Sequence, residues 1–208
     1  MYTPPAFAVD DLPTLHDFIQ AHSFATLISG GSESFEVTHV PLLLDRSIGE
    51  CGQLIGHLAK ANPQWKSAEG NRVLAIFHGP HAYVSPSWYQ EQNVVPTWNY
   101  IAVHVHGTLR LQNDPSVVKR IVEDYVTEYE SAMPIPWDMK SADETFVDNL
   151  TQAIVGFTID IDRIEGKWKL SQNHSEERRQ GVIEGLRKRE NGDDVAIAEL
   201  MEQQLNQT

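Results

Sequence analysis

Residues 97–111, TWNYIAVHVHGTLRL, constrain the fold more than any other part of this chain. Successive side chains of a strand point to opposite faces, whereas a helix returns to the same face about every 3.6 residues. Here β-branched and aromatic residues alternate with a period of two, so the run reads as a strand. Similar but shorter patterns occupy 23–29, 34–45, 53–58, 73–78, 81–85, 153–162 and 166–170. Gly30-Gly31-Ser32-Glu33 is a hairpin-type turn between the first two. Pro41 marks an edge, a bulge or a break, and Gly79-Pro80 punctuates the chain between 73–78 and 81–85.

Helices interrupt this pattern at defined places. Asp10-Asp11 before Pro13 is a start signal, followed by Leu12, Leu15, Phe18 and Ile19 at helical spacing. Asp114-Pro115 opens a second helix to about Tyr129, and a short one fits 143–152. Ser175 with Glu176-Glu177 opens another, which Arg187-Lys188-Arg189 closes, in the order the helix dipole favours. A last helix restarts at Asp193. Strands outnumber helices and most connections are short. The expected fold is therefore mainly β within the α+β class, a compact antiparallel barrel with peripheral helices and a C-terminal helix pair. Residues 1–173 form the barrel domain, with a helical insert at about 114–152. Residues 174–208 form a helical extension that packs on the barrel or on a dimer partner.

Charge narrows the function. The 208 residues carry a formal net charge of −13. Neutralising phosphates requires Lys and Arg, so a generic grip on nucleic acid is disfavoured. No apolar stretch approaches the ~18 residues of a membrane helix, and the N-terminus has no basic-then-apolar leader pattern. Cys51 is the single cysteine, which excludes an internal disulfide framework and a cysteine-based zinc cage, and a reducing cytoplasm fits best. Residues 71–110 hold only Arg72, Glu91 and Arg110 as charged groups, so this aromatic- and proline-rich middle is core or a lined pocket.

Conventional catalytic signatures are missing. His104-x-His106 places two imidazoles on one strand face, but no HExxH and no carboxylate stands at ligand spacing, so no metal is expected. GxSxG, the P-loop and GxGxxG are absent, and Cys51 lies beside Glu50 with no adjacent base. No catalytic residue can be named. Two stretches are more specific. In GHLAKANPQW, 56–65, a strand end meets Lys60, Asn62 and a helix-start signal, a setting that suits a phosphate. In GKWKLSQN, 166–173, Lys167 and Lys169 share one strand face ahead of small hydrogen-bonding residues, as an anion or amide-ring reader would.

At these residues the chain resembles a known family. The runs VTHVPLLLD (37–45), GHLAKANPQW (56–65), AIFHGPHAYVSPSWY (75–89), VPTWNY (95–100), VHVHG (103–107), AIVGF (153–157) and GKWKLSQN (166–173) are similar to the PaiB-like family. Its members are described as FMN-binding negative transcriptional regulators. The resemblance implies an antiparallel split β-barrel of the flavin-reductase type, a homodimer, and FMN at the subunit interface. It also implies sites. Thr38, His39, Val40 and Pro41 would run along the ring edge, and His57, Lys60 and Asn62 would serve the phosphate. Ser85, Trp88, Thr97, Trp98 and Asn99 would line the ring or ribityl side, with Lys167, Lys169 and Gln172 closing the site. Two other outputs are compatible with such a barrel: an FMN-dependent oxidoreductase and a haem-binding relative. Direct DNA binding finds little support, because the only basic cluster, Arg178-Arg179 with Arg187-Lys188-Arg189, is interleaved with Glu176, Glu177, Glu184 and Glu190.

Overall fold

The computed structural model describes residues 1–30, 34–89 and 93–206. The turn expected at 30–33 therefore lies largely outside the described residues. The strands are β1 (Ala8–Val9), β2 (Phe24–Gly30), β3 (Phe35–Pro41), β4 (Leu43–Asp45), β5 (Gln53–Ala59), β6 (Arg72–Val84), β7 (Thr97–Gln112) and β8 (Ile154–Lys169). The helices are α1 (Leu12–Ala21), α2 (Gln64–Ala68), α3 (Pro115–Glu130), α4 (Glu144–Thr151), α5 (Glu176–Arg187) and α6 (Gly192–Leu205). Seven strands follow the order β3-β2-β6-β7-β8-β5-β4, and β1 adds to β8. The fold is α+β, an antiparallel sheet with helices, as expected, but the sheet is an open path and not a closed barrel.

Two expected breaks are absent. β6 runs unbroken through Gly79-Pro80. β2 pairs with β6 only from Val73 to Ile76, so Pro80 stands where no β2 partner needs its missing N–H. β8 likewise joins the two strands expected at 153–162 and 166–170. Its charged middle is held by cross-strand polar pairs: Gln53 Nε2 donates to Asp160 at 2.8 Å, and Arg72 grips Asp162 at 2.6 and 2.9 Å. Pro41 resolves to a break, with β3 ending there and β4 resuming at Leu43.

Two compact units emerge. One comprises Met1–Leu15, His78–His104 and Glu165–Thr208; the other comprises His16–Phe77 and Val105–Ile164. In the second unit, Ala25, Leu27, Leu42, Leu54, Phe77, Leu109, Phe157 and Ile159 form the buried core. Gly56 lets Leu42 and Phe157 close over β5, since a Cβ there would lie 2.8 Å from Leu42. α3 docks through Val118, Ile121 and Tyr125. The buried Tyr125 hydroxyl donates to the carbonyls of Pro41 (2.5 Å) and Ile55 (3.0 Å), tying β3 to β5. Burial pushes its pKa up, so it stays a donor across the working pH range. Tyr125→Phe leaves two carbonyls short of a donor and is expected to cost about 1–2 kcal/mol in urea unfolding, with an unchanged m-value.

In the first unit, α5 and α6 pack on each other, and Val182, Ile183, Leu186, Ile197, Ala198 and Met201 are buried. Ser175 caps α5 and Asn191 caps α6 through their side chains, matching the start signals in the sequence. Arg189 forms two hydrogen bonds to the buried Asp194 carboxylate, at 2.7 and 2.8 Å, across the turn between the helices.

Candidate functional site

The second unit gathers the first set of sequence-identified residues at one end of β3 and β5. β3 stands at an end of the strand order, so one edge of its backbone is not taken by a neighbouring strand. Along it, Thr38 is half-buried, His39 is exposed and Val40 is buried. His39 Nδ1 lies 3.1 Å from Thr26 Oγ1, and its ring stacks on Phe24. The chain leaves β5 at Ala59 and turns sharply. Lys60 N donates to Ala153 O at 2.9 Å, and Asn62 N donates to Ala59 O at 2.9 Å. Asn62 Oδ1 accepts from Gln64 N at the start of α2, while Asn62 Nδ2 donates to Thr38 Oγ1 at 2.8 Å. Thr38 and Asn62 are thus brought together, and the Lys60 ammonium is left exposed. Trp65 closes this turn, its indole N–H donating to Lys60 O at 3.1 Å.

His57 lies three residues before Lys60. Its Nδ1 is buried and has no hydrogen-bond partner, and its ring meets Tyr125 edge-on at 5.1 Å. Burial holds its pKa below the ordinary 6.5. In the unfolded chain the imidazole takes up a proton as pH falls through about 6.5, whereas in the folded chain it resists. Stability is therefore expected to be intact above that pH and to fall as the solution is acidified through the folded pKa. His22 is shifted the same way by burial and contributes in the same window. The check is the unfolding free energy from pH 8 to 5 for the parent and for His57→Gln, which should show a shallower fall.

Gln64 is a site residue that sequence reading missed. It is 1% exposed, and its Nε2 donates to Leu27 O, Ser29 Oγ and Glu36 O at 3.1–3.2 Å. It locks α2 onto the β2–β3 hairpin and so fixes the Lys60 turn. The only signal was its place just after the Asn62-Pro63 start.

The first unit holds the second set. Lys169 Nζ donates to Thr97 Oγ1 at 2.7 Å and to Trp98 O at 2.5 Å, so these three residues meet. Burial, and then the nearby Lys167 charge, push the Lys169 pKa down. Lys167 is 7% exposed; it donates to Tyr2 O at 3.0 Å and lies over the Tyr2 and Tyr100 rings. The Trp98 ring is exposed and meets His81 and Tyr83. Trp98 and Tyr100 line an open groove of about 480 Å³ with His78, His81 and His104.

Four other residues of this set are engaged locally. Ser85 caps the short turn Pro86–Trp88. Trp88 packs against Gly181 and Gly185 of α5, under the Arg189 guanidinium. Asn99 is 0% exposed, its amide bonded to Ser171 Oγ and Met201 Sδ. Gln172 folds back onto Leu170 N and Trp168 O. Tyr2 and Phe7, which with Tyr100 of β7 cover the two lysines, were missed because the two-residue β1 beside them is too short for periodicity to reveal.

Comparison with known proteins adds three findings. A family model described as "Putative FMN-binding domain" matches residues 1–163. The chain is 36% identical over 209 residues to the Bacillus subtilis protein called Protease synthase and sporulation protein PAI 2, covering 99% of this chain and 98% of that one. Among solved structures, the flavocytochrome Anf3 from Azotobacter vinelandii superposes with a TM-score of 0.56 at 15% identity, over 78% of this chain and 69% of that one. An FAD and heme binding protein from Mycobacterium smegmatis gives 0.55 at 11% identity, over 78% and 73%. At these identities the two structures speak to the fold alone.

Proposed function

The chain belongs to the FMN-binding domain family, and from that premise we propose that it binds FMN non-covalently as a cytoplasmic homodimer with a regulatory output. The observation that carries the reading is the Lys60 turn. The turn holds an exposed ammonium and an Asn–Thr hydrogen bond, and three residues before it on β5 His57 carries a buried imidazole nitrogen without a partner. These are donors that a terminal phosphate accepts from, and a dianion beside an imidazole favours its protonated, donating form. The residues present therefore fit the group. Lys60, Asn62 and His57 would hold the phosphate, and the β3 edge at Thr38–Val40 would offer backbone groups to the ring, with Pro41, whose carbonyl is taken by Tyr125, only lining it. Within the first unit, Thr97, Trp98 and the Lys167–Lys169 pair are proposed as a contact for the polar edge of a flavin ring. Bound flavin would supply one- or two-electron chemistry, and the protein's part is to bind and orient it.

Regulation is proposed to act through a protein partner and not through a direct grip on DNA. Besides the net charge of −13, the one basic cluster is consumed internally. Arg178 lies over Tyr89, Arg179 is buried, Arg187 binds Glu202 at 2.9 and 2.7 Å, and Arg189 is held by Asp194. Among the described residues of the cluster, only Lys188 is left to meet a phosphate backbone. No helix among the described residues is long and apolar enough to cross a membrane. Absorbance of the purified protein tests the flavin reading: a yellow flavin band that survives gel filtration supports it, and a colourless protein that takes up no FMN removes it.

A second reading has one specific observation behind it. The groove with His78, His81 and His104 beside Trp98 and Tyr100 offers imidazole ligands and flat walls, which suits haem. A Soret band on haem titration that His104→Ala abolishes would favour this reading. A spectrum identical to free haem would dismiss it.

A further inference from the structure

We propose that Lys167 and Lys169 form an oxyanion site whose place is held, in this conformation, by the protein's own N-terminal segment. The inference deepens the flavin reading, since it concerns what occupies the lysine pair before an anionic ligand does.

Charge on this face of β8 is unbalanced. Both side chains leave the same face of β8, two residues apart. Lys167 is almost fully buried, yet its ammonium donates only to the Tyr2 carbonyl, at 3.0 Å, and otherwise faces the Tyr2 and Tyr100 rings at 5.8 and 5.2 Å. Lys169 donates to a hydroxyl and a carbonyl and faces the Phe7 ring at 5.9 Å. Neither ammonium pairs with a carboxylate among the described residues, although the chain carries 29 acids. Sequestered cations are normally matched by anions, because removing an ammonium from water is costly and neutral acceptors recover only part of that cost. The depressed Lys169 pKa, from burial first and Lys167 second, reports the same imbalance.

The cover over this pair is anchored at its start by the Met1 ammonium, 2.7 Å from Glu165 Oε2, and is lightly held beyond that. β1 is two residues long and pairs with β8 only at Ala8↔Lys167 and Val9↔Gly166. Gly166 permits that approach, since a Cβ there would lie 2.9 Å from Val9 O. Tyr2 is 85% exposed, so its ring rests on Lys167 without entering a core. A two-residue pairing flanked by one exposed ring, that of Tyr2, belongs to the low-stability end of local opening. A charged oxygen offers each ammonium a charge-assisted hydrogen bond that is roughly twice as strong as one to a carbonyl. Anion binding therefore displaces residues 2–7, and the covered state taxes apparent affinity by the fraction of molecules that remain covered.

Hydrogen–deuterium exchange of residues 2–9 in the full chain tests this, with inorganic phosphate, riboflavin and FMN as separate additions and flavin binding followed by fluorescence in the same samples. Exchange of residues 3, 6, 7 and 8 should accelerate about tenfold on ligand addition. Acceleration by phosphate and FMN alone makes the bound oxyanion a phosphate, and acceleration by riboflavin and FMN makes it the polar edge of the ring. Tyr2→Ala and Phe7→Ala should tighten that ligand by roughly threefold to tenfold, whereas Lys169→Met should weaken it by about tenfold and abolish the exchange response. A purely structural cover predicts unchanged or weaker binding for the two aromatic variants. Melting curves confirm that each variant is folded, and Tyr2→Ala removes no core contact. FMN that binds with no change in exchange at 2–9 overturns the displacement while leaving the flavin reading intact. FMN that fails to bind overturns the flavin reading, and the site then stands or falls on the phosphate arm.

Discussion

Gly185→Ala is expected to destabilise the protein by about 2–3 kcal/mol, a large loss for the addition of one methyl group. In most helices this exchange is favourable by roughly 1 kcal/mol through propensity alone. Here α5 lies so close to Trp88 that the new Cβ would sit 2.5 Å from Cε2 and 2.6 Å from Cγ of the indole. Neither helix nor ring can yield freely, because Arg189 covers the indole and is itself fixed by Asp194 and Tyr83 O. Urea unfolding measures the loss. A second substitution separates the cause from a general helix effect: Trp88→Leu in the Gly185→Ala background should restore part of the stability. At Gly181 the obstacle is the Trp88 backbone oxygen, 2.5 Å from the would-be Cβ. Gly181→Ala should therefore be just as harmful and should not be rescued by changing the Trp88 side chain.

The second large effect concerns the ligand and not the fold. Lys60→Ala should raise the dissociation constant for FMN about 10–100-fold, the worth of one charge-assisted hydrogen bond. Riboflavin, which lacks the phosphate, should bind the parent and the variant alike. Stability should change by less than about 0.5 kcal/mol, because Lys60 is exposed and in no ion pair among the described residues. A Lys60→Ala protein that keeps full FMN affinity removes the phosphate from the β5 turn. Equal losses for FMN and riboflavin would instead point to a disturbed turn, which Asn62→Ala should reproduce through the lost Thr38 contact.

Most elements were legible because period and punctuation agreed. β7 and α3 match their expected ranges to within about a residue, with Asp114 accepting from Ser116 N as the start signal implies. Punctuation misled where partners decide. Gly79-Pro80 looks like a break, but β6 has no β2 partner there to miss the proline N–H. The charged stretch 163–165 looks like a break between two strands, but β8 runs through it, with Asp160 and Asp162 just before it paired across strands to Gln53 and Arg72. Sequence spacing cannot show pairing across 90 or more residues. The same holds for the site. The Lys60–Asn62 turn was visible in GHLAKANPQW, and the Lys167/Lys169 face in GKWKLSQN, because each is local. That Asn99 would be sealed by Ser171 and Met201, and Trp88 pressed onto glycines about a hundred residues away, depends on the tertiary fold. So does the aromatic cover that Tyr2 and Phe7 lay over the lysines.

The central claim is that this chain is an FMN-binding protein that recognises the phosphate as well as the ring. Its most direct test is a titration of the purified full-length protein with FMN and, in parallel, with riboflavin, followed by flavin fluorescence. Saturable FMN binding, with riboflavin weaker by about tenfold or more, is the predicted result. Equal affinity for the two flavins, or no saturable binding of either, would contradict it.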